Sequence, residues 1–106
     1  MKYDVVLTDT ARRQLDEACA WYASRDSRVA DEWYNGFINA LISLENNPQQ
    51  HGLARENDTF PVELRQFLYG SGHKKTHRAV FAIRPGKVVV HSIRHLAQRD
   101  VMPGDL

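Results

Sequence analysis

Between Leu64 and Arg99 the chain holds four histidines and eight lysines or arginines, but no aspartate or glutamate. Soluble domains usually intersperse both signs over their surface. Side chains of these types can do three kinds of chemistry. Imidazoles can ligate a metal, guanidinium and ammonium groups can hold phosphates, and the two together can cleave RNA without a metal. The last requires a base for the 2′-hydroxyl, an acid for the leaving oxygen and cations around the pentacovalent phosphate.

Spacing argues against a metal. His73 and His77 are four residues apart, as are His91 and His95. On a helix each pair would share a face, but these segments read as strands or strand-flanking loops, where four residues span roughly 13 Å. Zinc ligands lie about 2 Å from the ion, so neither pair chelates one without a sharp bend. Cys19 falls on the apolar stripe of a helix and reads as a core filler rather than a nucleophile. No Gly-x-Ser-x-Gly elbow occurs, and "GSG" at 70–72 lacks the lysine-serine ending and following helix of a phosphate loop. No metal or cofactor is expected.

The elements that must position the cations follow from periodicity. "YDVVLT" (3–8) reads as a strand. Ala11, Leu15, Ala18, Cys19 and Tyr22 then recur at helical spacing, with Thr8 or Asp9 as N-cap. A second helix is expected over about 28–46, its stripe built from Ala30, Trp33, Tyr34, Phe37, Ile38, Leu41 and Leu44, and stopped by "NNP". The polar, turn-rich stretch 48–63 reads as a loop. Strands are expected at 64–69, 77–83 and 88–94, joined by the glycine-containing connections "GSGHKK" and "RPGK". The order β-α-α-β-β-β is an α+β layout, a helical hairpin packed on a small, mostly antiparallel sheet. At 106 residues this is one domain.

Alternation along the strands puts the cations at strand ends and apolar residues in the middles. A basic rim is the expectation, and composition leaves open whether it binds phosphate or only discourages edge pairing. Residues 1–50 carry five cations against eight acids (net −3), and residues 51–106 carry nine against five (net +4). Such polarity suits a polyanionic or acidic partner. The lone cysteine fits a reducing compartment. No signal-peptide-like opening or run long enough to span a bilayer occurs, so a cytoplasmic location without membrane contact is expected.

Several stretches together resemble the RelE/ParE superfamily, toxins of bacterial type II toxin–antitoxin modules. They are "YDVVLTDTARRQLDEACAWYA", "VADEWYNGFINALISLENNPQQHG", "LRQFLYG", "HRAVFAI" and "VVVHSIRHLAQRD". The resemblance covers almost the whole chain and implies one toxin domain over 1–106. It implies functional roles for Arg65, in the "LR" position, for Arg78, and for His95 and Arg99 in the closing "H…RD". Lys74, Lys75, His77 and Arg94 are then expected to contact the substrate. The chain departs from the pattern at His77 and Phe81, where tyrosines are usual, and in the long "GSGHKKT" connection.

The helical hairpin and the ending look more like the ParE branch, implying inhibition of DNA gyrase. The alternative is a RelE-like ribonuclease acting on mRNA at the ribosome through a metal-free basic and histidine site, and a third reading is an inactive toxin-like binding module. A cognate antitoxin, in a toxin–antitoxin hetero-oligomer, is the implied partner. Trp21 lies 80–100° from the centre of its helix's apolar stripe, counted at about 100° per residue. It is the expected antitoxin anchor, although packing at the stripe's margin would also account for it.

Overall fold

The computed structural model describes residues 2–71 and 73–105; Gly72, inside the expected "GSG" connection, lies outside the described residues. The first strand, β1 (Asp4–Leu7), ends at Thr8, whose side chain accepts a hydrogen bond from the Ala11 N–H and so caps helix α1 (Asp9–Ala23). Asp26 caps α2 (Ser27–Ile42) in the same way through the Arg28 N–H. Both caps satisfy donors that a helix start leaves unpaired. The second helix stops four residues earlier than expected and tightens into a 3₁₀ turn at Ser43–Glu45. Asn47 then takes a left-handed conformation ahead of Pro48, which asparagine tolerates better than most residues.

Three strands follow: β2 (Arg65–Tyr69), β3 (His77–Arg84) and β4 (Lys87–His95). The β3–β4 turn carries Pro85 and then Gly86 at φ +73°, the residue pair that a tight turn with one positive φ favours. The sheet order is β1-β4-β3-β2, antiparallel except where β1 runs parallel to β4. Two helices on a four-stranded mixed sheet give the expected α+β architecture.

One irregularity decides which side chains share a face. Val80 pairs with Ser92 but Phe81 pairs with Val90, so His91 is an extra residue on β4. Such a bulge shifts the alternation by one. Val88, Val90 and Ile93 therefore all join the core under the helices, with Trp33, Phe37, Phe67 and Phe81. Strict alternation without the bulge would put Ile93 on the face opposite Val88 and Val90.

The other sheet face is covered as well, at least over its β2–β3 half. Residues of the expected loop fold back on it, with short 3₁₀ turns at Pro48–Gln50 and Asn57–Thr59. Ala54, Leu64, Val80, Ala82 and Val101 form a second core there, edged by Phe60 and Val62. Backbone hydrogen bonds from Ala54 to Leu64 and from Gln66 to Gly52 fasten this strap to β2. Among the described residues, no helix is long and apolar enough to cross a membrane.

Candidate functional site

The sheet separates the expected site residues into two groups on opposite faces. On the strap side Arg78 and Arg94 are direct cross-strand partners. Two like charges at that position repel, and the strap supplies the compensation. Both guanidinium ends of Arg78 hold the Glu56 carboxylate, one of them at 2.7 Å, and the Gln66 side-chain oxygen accepts a further bond at 2.9 Å. The Val101 N–H donates to Glu56 at 2.8 Å. Burial alone would raise the Glu56 pKa, but the bonds from Arg78 and Val101 outweigh it and hold the carboxyl below its usual range.

The expected rim is therefore corrected at three positions. Arg78 is fully buried, and Arg94 and His77 are nearly so. Arg94 donates from Nε to the Arg99 carbonyl, and burial followed by repulsion from Arg99 pulls its pKa down. The strap covers Arg78, the C-terminal segment takes up Arg94, and the helices' Tyr22 and Trp33 pack over His77. Alternation separates the faces on β3 but not past the His91 bulge on β4, and it cannot tell that other segments will cover both faces.

Other members of the expected rim are accessible yet engaged. Arg99 is exposed and forms a two-pronged bridge to Asp105, which drives the Asp105 pKa down to about 2 with help from the Met102 N–H. Arg65 sits on the helix-side face, donating to the Gln49 and His51 carbonyls and bridging Glu63 at 3.1 Å. Lys74 and Lys75 are exposed in the β2–β3 connection and form no salt bridge with a described residue.

The helix side gathers a different set. Register places His77 directly opposite His95, with ring centroids 5.2 Å apart and rings close to perpendicular. These two residues, Trp21 and Tyr22 line one groove of about 560 Å³, together with Arg13, Gln14, Glu17 and Gln98. Trp21 is 54% exposed, packs edge-on against Tyr22 and carries the Arg25 guanidinium 3.7 Å above its ring. His77 packs edge-on to Trp33 and bonds through Nδ1 to the Thr76 hydroxyl at 2.8 Å. Burial, then the neighbouring His95, lowers its pKa to about 4, so it is neutral at physiological pH.

His95 Nδ1 accepts a hydrogen bond from the Ala97 N–H at 3.0 Å. A neutral imidazole accepting at Nδ1 carries its proton on Nε2, which leaves that nitrogen a donor with no lone pair for a metal. Among the described residues, no three histidine, cysteine or carboxylate groups are arranged to hold an ion.

A sequence model of the family described as "ParE toxin of type II toxin-antitoxin system, parDE" matches residues 5–99. The chain belongs to the ParE toxin family. No curated protein matches it. The fold is similar to a solved chain of the chromosomal ParDE toxin–antitoxin system from P. aeruginosa, with a TM-score of 0.70. That similarity covers 89% of this chain and 96% of the other at 16% sequence identity.

For this ParE-family chain, sequence reasoning missed Glu56, Gln14 and Gln98. Glu56 sits in the stretch read only as a polar, turn-rich loop. Gln14 and Gln98 carry no charge signal, yet Gln14 Oε1 accepts from the Ile93 N–H and the Ser92 hydroxyl, and Gln98 Oε1 accepts from the His95 N–H. The His77–His95 pair was hidden because the tempting spacings lay within single segments, whereas the contact runs across β3 and β4.

Proposed function

We propose that this chain is the toxin of a toxin–antitoxin pair, neutralised by a cognate antitoxin seated over the Trp21 groove, and that it acts by inhibiting DNA gyrase. The observation that carries the reading is the locked Arg78–Glu56 pair. A phosphate-cleaving site needs its guanidinium groups free to reach the reacting phosphate, and here Arg78 is buried against the strap and Arg94 against the C-terminal segment. A toxin that works by seating on a protein target has no such requirement. Trp21 supports the antitoxin arm, since exposed tryptophans bordering pockets are frequent anchors of protein interfaces.

One observation favours ribosome-dependent mRNA cleavage as a second reading. His77 and His95 meet in a groove, one of them held neutral, and Lys74 and Lys75 lie three and two residues before His77. That is the chemical inventory of metal-free acid–base cleavage.

Induction in bacteria with parallel readouts separates the two. Gyrase inhibition predicts DNA-damage induction with intact transcripts. Rapid loss of translation with cut transcripts would overturn it in favour of the second reading. Absence of any growth effect at confirmed expression would leave an inactive binding module.

A further inference from the structure

The polar side chains around the groove share a property that none of them shows alone. In Gln14, Gln98 and His95 the acceptor is used inside the fold and the donor is left over. Gln14 Oε1 takes two hydrogen bonds, from Ile93 N–H at 2.8 Å and from Ser92 Oγ at 3.1 Å. Gln98 Oε1 takes the His95 N–H at 2.7 Å, and His95 Nδ1 takes the Ala97 N–H. Both glutamine NH₂ groups and the His95 Nε2–H have no acceptor among the described residues. Arg13 adds a guanidinium, of which Nε reaches Glu17 at 3.5 Å. Glu17, the one carboxylate among the described lining residues, thus takes up part of the Arg13 charge and stays exposed.

A polar group without a partner loses part of its hydrogen bonding when a ligand expels water, so a ligand that fits must bring acceptors. Between these donors the lining is apolar, from Trp21, Tyr22, Ala18 and Ile93. We infer that the groove is a receptor for an acidic side chain of a protein partner, its carboxylate on the His95, Gln14 and Gln98 donors and a neighbouring apolar residue against Trp21. The inference rests on the antitoxin reading above and adds the chemistry by which that partner is recognised.

A carboxylate fits better than a phosphate monoester, which carries close to two charges at neutral pH. Glu17 stands in the groove wall, and His77 remains uncharged. Full phosphate charge would face one carboxylate and few unpaired cations. A carboxylate brings the same acceptors with less charge, and hydrogen bonds to a charged acceptor are the strong ones.

The probes are Ac-Phe-Glu-NH₂, its neutral isostere Ac-Phe-Gln-NH₂, and uridine 5′-monophosphate, each titrated into the whole protein and followed by NMR of side-chain amide and imidazole signals. The acidic probe should saturate, move the Gln14, Gln98 and His95 signals, and bind at least about 10-fold more tightly than the neutral one, as charge-assisted hydrogen bonding implies. Gln98→Glu keeps the oxygen that accepts from the His95 N–H but replaces the NH₂ donor with an anion. It should fold normally and lose acidic-probe binding by about 10-fold or more.

Equal binding of the acidic and neutral probes, or undiminished binding to Gln98→Glu, would overturn the inference. Tighter binding of the nucleotide at the same signals would replace it with a phosphate site. A companion experiment keeps the two claims apart. If the antitoxin encoded beside the gene neutralises wild type and Gln98→Glu equally well, the groove chemistry fails while the toxin–antitoxin reading stands. If no neighbouring protein neutralises the wild type, the toxin–antitoxin reading fails instead.

Discussion

Replacing Arg78 by alanine should cost the protein a large share of its stability. Arg78 and Glu56 are both buried, and their carboxylate–guanidinium contact is supported by Gln66 and the Val101 N–H. Removing one partner of a buried pair leaves the other charged and unsatisfied, which costs about 3–5 kcal/mol. A domain has only about 5–15 kcal/mol in total. Near this size each kcal/mol shifts Tm by about 4–8 °C, so the expected loss is about 12–40 °C. Glu56→Leu with Arg78→Met replaces the pair by apolar groups of similar volume and should recover much of the loss, because buried pairs and packed apolar groups are often close in energy. Urea unfolding of wild type, Glu56→Leu, Arg78→Met and the double variant gives the coupling. A coupling of about 2 kcal/mol or more is expected. If Arg78→Ala unfolds at the wild-type urea concentration, the buried-pair reasoning is wrong. Lost toxicity with unchanged melting would then restore a surface role for Arg78.

Three further outcomes follow from particular contacts. Because burial and His95 lower the His77 pKa to about 4 while the unfolded imidazole titrates near 6.5, the unfolded chain binds the extra proton between those values. The stability that His77 contributes should be complete above about pH 6.5 and fall by about 3 kcal/mol as pH drops towards 4, and His77→Phe should flatten the stability–pH curve in that window. Gly36→Ala should destabilise, although alanine normally gains about 1 kcal/mol over glycine inside a helix, because the new Cβ would stand 2.0 Å from the Tyr69 hydroxyl oxygen; Tyr69→Phe should restore part of the loss in thermal melts. Trp21→Ala, at an exposed ring, should change stability by no more than about 0.5 kcal/mol yet weaken antitoxin capture in a pull-down by at least about 10-fold, as a central aromatic anchor does.

Much of the scaffold was legible from local pattern. The stripes through Leu15 and Phe37 gave the two helices, and the Pro85–Gly86 turn gave the β3–β4 hairpin. What stayed hidden was non-local. Strand alternation placed Arg78 on one face, but the fate of that face depends on a strap fixed by Glu56, more than twenty residues earlier in the chain. The bulge at His91 shifted the face of every later β4 residue, which brought His95 onto the same side as His77 and the helices. Of the candidate site, Trp21, His77 and His95 were picked out singly for unrelated reasons, and only the register showed that they share one groove. Gln14 and Gln98 gave no signal because an amide's role depends on which of its ends the fold has already used.

The most direct test is a supercoiling assay with purified bacterial DNA gyrase, relaxed plasmid and the purified protein, run beside a ribosome-programmed mRNA cleavage assay at the same concentrations. Gyrase inhibition with intact mRNA, reversed by the cognate antitoxin, is the predicted result. Full supercoiling with cut mRNA would contradict the account and move the function to the His77–His95 groove.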